Sequence, residues 1–367
     1  MEKKKIKVHL QYPWKFPDSP YYKYLIDSPP EDIEFQNTKK QKGVITNKRF
    51  FWFSNFLKKN IRKWSNKLNL AIPNAHKSPK GDYNLIHCAH CLSKNKDKHW
   101  VADIERFFSL MVSWNDSKIA KDKVKKILLR KECKKILSWT REANNELIKN
   151  FPEVKEKFEV IYPAIPYKKI KISKKNNKIN LIFTGRYFYH KGGLHVLEAI
   201  DNLTKKYKNV YGIINSEVPE EILKKYSKNK KIEFYGLISQ KKLFELYEKS
   251  NILVYPGYSD SFGFAYLESM AFGIPIITMN NGGCREEIII NNKTGLICGE
   301  IGDGIKTRNV LDKKVVFELC SNTSKLIEDD NLRKKMSKEC LKTIKEGKFS
   351  IKERNKKLKR IYEEAIK

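Results

Sequence analysis

Long apolar runs are missing from this chain. No window approaches the roughly 18 consecutive apolar residues of a membrane-crossing helix. The opening M-E-K-K-K-I-K-V-H-L lacks the apolar core of a secretory leader, so the expected place is the cytoplasm or, peripherally, the inner face of a membrane. A disulfide framework is missing too: seven cysteines, an odd number spread from Cys88 to Cys340, fit a reducing compartment. Cys88 and Cys91 form a lone C-A-H-C with no second pair in reach, which reads as strand-end packing rather than a zinc site. Acidic residues are scarce beside basic ones, 42 against 75, and the net charge of +33 exceeds what solubility requires. The excess is spread over both halves of the chain. It reflects either a lysine-rich composition or attraction to an anionic surface such as phospholipid, a pyrophosphate-bearing lipid or nucleic acid.

What is present is a chain of 367 residues, 40% hydrophobic, long enough for two domains with separate cores. Its most informative stretch runs from Val254 to Gly295. A short apolar strand, Ile252 to Tyr255, turns through Pro256 and Gly257 to Asp260, eight positions before Glu268. Ser261 suits an N-cap, Gly263 lets backbone approach a ligand, and Phe264, Leu267, Ala271 and Phe272 recur at helical spacing. Such a strand-to-helix turn aims free N–H groups and the positive end of a helix dipole at one point, which suits a phosphate. A carboxylate one turn into the helix accepts two hydrogen bonds from a ribose diol, so phosphate and Glu268 together suggest a nucleotide.

The run D-S-F-G-F-A-Y-L-E-S-M-A-F-G-I-P-I-I, followed by G-G and N-N-K-T-G-L-I, closely resembles the C-terminal signature of glycosyltransferase family 4, retaining enzymes of GT-B fold. That family carries two glutamates eight apart; here Asp260 holds the first place, keeping the charge and shortening the reach by one methylene. The resemblance implies an α/β fold of the GT-B kind: two Rossmann-like domains with a cleft between them and a C-terminal helix crossing back onto the first. The expected division is an acceptor domain over residues 1–165, a nucleotide-sugar domain over 166–348 and the closing helix over 349–367, with Y-P-A-I-P and a basic polar run as the linker. The likeness is close from about residue 130 onward and loose before it.

Further candidate residues follow. In I-N-L-I-F-T-G-R-Y-F-Y-H-K-G-G, a buried strand and a turn at Gly185 lead to Arg186 and Lys191, five apart. Arginine forks onto phosphate oxygens and lysine supplies a point charge, so the pair suits a diphosphate without metal. The same segment matches the family's G-R-then-K-G pattern. His190 and His195 read as structural. By resemblance, the backbone at Gly236 and Leu237, in I-E-F-Y-G-L-I-S, lies where relatives hold the base, while Y-G-I-I-N-S lacks the glycine pair that often follows this strand. In the first domain Ile6 to Leu10 reads as the first strand, and the loop Y-P-W-K-F-P-D-S-P-Y-Y after it as an acceptor site lacking the usual glycine pair. Trp100 to Ile104 reads as another strand, after which relatives place a residue that faces the donor sugar; Glu105, or Asp103 just before it, stands there. The same D-I-E would suit a metal-dependent transferase of another fold, but no further metal-ligand cluster accompanies it. No metal and no cofactor beyond the donor substrate are expected.

Residues 50–70 place Phe53, Leu57, Ile61, Trp64 and Leu68 on one helical face, with Lys58, Lys59, Arg62, Lys63 and Lys67 largely on the other. Two readings stay open, a helix lying on anionic lipid and a core-facing helix with a solvated basic side. The resemblance implies an enzyme that moves a sugar, with retention, from a nucleotide-diphosphate sugar to a lipid-linked or cell-surface glycan precursor. Arg186, Lys191 and the Gly263–Phe264 helix end would stabilise the leaving diphosphate, Asp260 would touch sugar hydroxyls and Glu268 the ribose. A nucleotide-sugar 2-epimerase of the same fold is the alternative. A basic nucleic-acid-binding protein would leave Asp260 and Glu268 idle, and no nucleic acid is expected as a partner.

Overall fold

The computed structural model describes residues 5–12, 20–40, 47–68, 70–113, 115–167, 177–260, 262–280, 284–300 and 309–367. The chain divides into two compact units, Met1–Ala164 with Ile351–Lys367, and Ile165–Ser350. Ser261, the Gly282–Gly283 pair, most of the Y-P-W-K-F-P-D-S-P-Y-Y loop and the basic part of the linker lie outside the described residues.

Among the described residues of the first unit, the main sheet comprises β1 (Ile6–Gln11), β2 (Ile33–Gln36), β4 (Leu85–Ala89), β6 (Trp100–Ile104), β7 (Cys133–Ser138) and β8 (Phe158–Val160). Its order is β2-β1-β4-β6-β7-β8, every pairing parallel. Every residue of β4 and β6 is buried, the mark of a parallel sheet covered on both faces. A small parallel pair, β3 (Ala75–His76) and β5 (Leu92–Ser93), stands beside it. The helices of this stretch are α1 (Pro20–Asp27), α2 (Lys48–Lys67), α3 (Lys118–Leu128) and α4 (Arg141–Asn150). Side chains cap three of them: Asn47, Ser117 and Thr140 accept the N–H of Phe50, Ala120 and Ala143.

The second unit repeats the plan with β9 (Ile179–Thr184), β10 (Val210–Asn215), β11 (Ile232–Tyr235), β12 (Ile252–Val254), β13 (Ile276–Asn280) and β14 (Gly295–Glu300). Their order is β11-β10-β9-β12-β13-β14, again all parallel. Around them run α5 (Gly193–Lys206), α6 (Glu220–Tyr226), α7 (Gln240–Glu248), α8 (Phe264–Ala271), α9 (Arg285–Ile288), α10 (Lys313–Glu328) and α11 (Asp330–Lys345). A Cβ on Gly212 of β10 would come within 2.4 Å of Ile200 Cγ2, so glycine is what lets α5 lie so close on the sheet. The chain winds outward from β9 to β11 and then returns to β12 on the other side of β9. In doubly wound sheets the carboxyl ends at such a reversal form the ligand crevice.

The last helix, α12 (Ile351–Ile366), belongs to the first unit. It buries Leu358, Ile361, Tyr362 and Ala365, and burial of each large apolar side chain contributes roughly 1.5–3 kcal/mol. Arg354 Nη2 donates to the Ser28 carbonyl at 2.6 Å, and Lys359 bridges Glu31 and Asp32 at 2.8 Å each. Helix α2 is the exception to inward packing. Its apolar stripe points to solvent, with Phe53 60% and Trp64 59% exposed, so the core-facing reading of residues 50–70 fails.

Candidate functional site

The carboxyl ends of β9 and β12 meet at the reversal of the second sheet, and the candidate residues of that unit gather around them. After β9, Gly185 N–H donates to the Asn215 carbonyl at 3.0 Å, which ties the turn to β10. A Cβ on Gly185 would stand 3.0 Å from Lys191 Cγ, so a side chain there would press on Lys191 where it folds back over the strand end. Lys191 Nζ pairs with Asp260 Oδ1, both side chains largely buried. The other carboxylate oxygen, Asp260 Oδ2, accepts the Tyr255 hydroxyl at 2.6 Å. Burial, and then the Asp260 charge, push the Tyr255 hydroxyl well above its ordinary pKa, so it stays a donor.

Arg285, at the start of α9, completes the turn from the other side. Its Nη2 donates to the Gly257 carbonyl, and its guanidinium lies over the Tyr266 ring at 4.9 Å. Gly257 N–H in turn donates to the Lys191 carbonyl at 3.3 Å, and Asp260 N–H to the Gly257 carbonyl at 3.2 Å. Arg285 is 1% exposed, a rare state for arginine without anionic company. Burial works against its charge, but Tyr266 and Asp260 more than offset that and raise its pKa.

Helix α8 starts at Gly263, whose φ of +84° puts it in the left-handed region, and a Cβ there would also collide with the Tyr266 ring at 2.7 Å. Asp260 Cβ lies 3.6 Å from that same point, so the first turn of α8, with Phe264 half-buried, opens beside the Lys191–Asp260 pair. The first N–H groups of a helix have no intrahelical acceptor, and the dipole adds partial positive charge. One turn further, Glu268 is buried and accepts the Tyr247 hydroxyl at 3.3 Å. Burial raises its carboxyl to about 7, against the opposing pull of Tyr247 and the Arg186 charge. Arg186, half-buried after β9, is thus electrostatically coupled to Glu268. After β11, Gly236 is exposed, and a Cβ there would meet nothing within 4 Å; Leu237 beside it is half-buried.

The remaining two candidates, Asp103 and Glu105, belong to the first unit. Asp103 is fully buried within β6, its Oδ2 bonded to His87 Nε2 at 2.8 Å, and His87 Nδ1 meets the Tyr362 hydroxyl of α12 at 2.6 Å. Glu105 follows the strand and is partly accessible. His195 is buried, and its Nε2 accepts the Asp312 N–H at 3.0 Å, which fixes a neutral ring whose pKa burial lowers. Cys88 and Cys91 are buried, both sulfurs facing the Gln11 amide at 3.3 and 3.6 Å. Among the described residues no group of three His, Cys, Asp or Glu side chains could hold a metal ion. Sequence reasoning passed over Arg285, Tyr255 and Tyr247. In C-R-E-E the arginine reads as an exposed helix start, and its position just after G-G is the only available signal.

Comparison with known proteins bears on both units. A Klebsiella pneumoniae protein described as "Uncharacterized 41.2 kDa protein in cps region" is 27% identical over 172 residues, 44% of this chain and 47% of its own length. The match spans about half the length of the first such relatives, 47%, 60% and 57%. A solved glycosyltransferase from Rickettsia africae superposes with a TM-score of 0.67 at 16% identity, over 100% of this chain and 99% of that one. The Anabaena protein Alr3699/HepE, solved with UDP and glucose, gives 0.63 at 14% identity over 98% of this chain and 100% of its own. These superpositions show the GT-B fold. Residues 166–342, most of the second unit, match the family model described as Glycosyl transferases group 1.

Proposed function

We propose that the protein transfers a sugar, with retention and without a metal, from a nucleotide-diphosphate sugar to a lipid-linked or cell-surface glycan precursor at the cytoplasmic face of a membrane. One observation carries this reading: Arg186, Lys191, Asp260, Glu268 and the opening turn of α8 converge at the reversal of the second sheet. Breaking the bond from the anomeric carbon to the diphosphate builds negative charge on the phosphate and positive charge on the sugar ring. Arg186, Lys191 and the α8 N–H groups meet the first. An ammonium has three donors, so Lys191 holds Asp260 and a phosphate oxygen together. Asp260, held by Tyr255 and braced through the Arg285-anchored turn, takes the sugar hydroxyls. Glu268 accepts the ribose diol when ionised, and the open backbone at Gly236 and Leu237 takes the base. Of the two carboxylates in the first unit, Asp103 is bonded to His87 and keeps the relay to Tyr362 in place, and the partly accessible Glu105 is the candidate for the sugar-facing role that the resemblance implies.

The test is a thermal-shift screen against UDP-, GDP- and ADP-sugars, followed by transfer assays with the donor that binds. A ligand that binds only the folded state raises the melting temperature. UDP-sugars come first, because the Anabaena relative was solved with UDP-glucose. Conversion of the donor alone into a sugar epimer would favour the epimerase instead.

A further inference from the structure

Helix α2 is built inside out. Over Lys48–Lys67 it carries seven basic residues and no acidic one. With about 100° of turn per residue, Trp52, Phe53, Phe56, Leu57, Ile61, Trp64 and Leu68 fall within about half of the helix circumference. In a helix that serves the core, that half would face the protein. Here it faces water: Phe56 is 62% and Leu68 59% exposed, and Leu57 and Ile61 are also exposed. On the other half Ser54 and Asn55 are half-buried and Ser65 is 5% exposed, so these polar side chains are the ones turned inward. Lys63 and Lys67 fall within the arc near its Trp52–Phe56 edge and Lys59 just outside that edge, while Lys58 and Arg62 fall on the opposite half, between Ser54 and Asn55. The chain leaving the helix continues the surface. Leu70 N–H bonds back to the Ser65 carbonyl at 2.8 Å, and both Leu70 and Ile72 are exposed.

We propose that this face is a membrane-docking surface, in which Phe53, Phe56, Leu57, Ile61, Trp64 and Leu68 enter the headgroup boundary of an anionic phospholipid bilayer while Lys59, Lys63 and Lys67 at the edge of the arc contact phosphates. Exposed apolar side chains scattered singly are ordinary, but a contiguous aromatic stripe along one helix is not. A soluble partner would be met by a patch of mixed charge; a face bordered by cations alone matches a surface of uniformly negative charge. The two components separate in salt: charge attraction is screened, while insertion of rings persists. The surface lies in the first unit and does not depend on the donor site of the second, so its failure would leave the proposed chemistry standing.

The experiment is liposome flotation of the full chain with vesicles of neutral phosphatidylcholine and of phosphatidylcholine with phosphatidylglycerol. It compares the wild type with two variants: Lys58, Lys59, Arg62, Lys63 and Lys67 all changed to Gln, and Phe53→Ser with Trp64→Ser. Both sets of side chains are exposed except Lys58, which is half-buried, and circular dichroism confirms that each variant folds. The wild type floats with anionic vesicles, and the charge variant loses at least about tenfold in affinity for them. The aromatic variant binds at low salt but is stripped by 0.5 M NaCl, which leaves the wild type partly bound. A wild type that stays at the bottom with anionic vesicles would overturn the proposal, whether it then self-associates or binds RNA. So would equal flotation of all three proteins.

Discussion

Changing Glu268 to Gln should make the protein more stable at pH 8, and the size of the gain follows from burial. The carboxyl is buried with one hydroxyl donor and within reach of the Arg186 charge, and burial raises its pKa from 4.5 to about 7. An acid whose pKa is higher in the folded than in the unfolded chain favours folding in its protonated form. Its penalty is therefore absent below about pH 4.5, grows through the window from 4.5 to 7, and is complete above 7. The gap between those two values corresponds to roughly 3 kcal/mol. Glutamine keeps an acceptor for Tyr247 and carries no charge, so it removes the penalty. For a unit of this size the gain appears as a rise of roughly 6–12 °C in melting temperature at pH 8, shrinking to nothing near pH 4.5. Differential scanning calorimetry of both proteins across that range reads it directly. Donor affinity moves the opposite way: the variant loses the ribose contact at every pH, and the wild type binds more tightly at pH 8 than at pH 6, because the diol needs the ionised carboxylate. Equal destabilisation by Glu268→Gln at all pH values would refute the reasoning, since it would mean that the carboxyl serves packing alone.

Arg186→Ala and Lys191→Ala each lower donor affinity by about 10–100-fold, the worth of a charge-assisted hydrogen bond, with unchanged circular dichroism; isothermal titration calorimetry measures it. Arg285→Met leaves the Gly257 carbonyl and Asp260 without their buried cation and lowers stability by roughly 3 kcal/mol in urea melts, while Arg285→Lys recovers part of the loss. Transfer proceeds at an unchanged rate in EDTA; activity lost to the chelator and restored by magnesium or manganese would contradict the metal-free assignment.

Much of this architecture is legible in the residues. The run I-N-L-I-F-T before G-R can only be a strand buried on both faces, and β9 spans Ile179–Thr184. The carboxylate pair Asp260 and Glu268 stands out in the residues beside a glycine turn and a short apolar run, and in the structure Asp260 follows β12 and Glu268 lies on α8. Other features depend on tertiary context. The four-residue spacing in α2 defines a face but not its direction, because the same stripe serves a core or a bilayer. Asp103 and Glu105 are two apart, and strand periodicity puts both on one side. Only the His87–Tyr362 contact from a helix some 260 residues later separates the buried one from the accessible one. Arg285 was hidden for a related reason: its partners are a backbone carbonyl and a ring, and neither leaves a mark in the pattern of charged residues.

The most direct test of the central claim is donor binding and transfer measured side by side on the wild type, Arg186→Ala and Glu268→Gln, with the UDP-sugar or other nucleotide-sugar that shifts the wild-type melting temperature. The wild type is expected to bind the donor and to yield a product whose anomeric configuration, read by nuclear magnetic resonance, matches the donor's, and both variants to lose transfer while remaining folded. Near-normal transfer by either variant, or no nucleotide-sugar bound by a folded wild type, would contradict that claim.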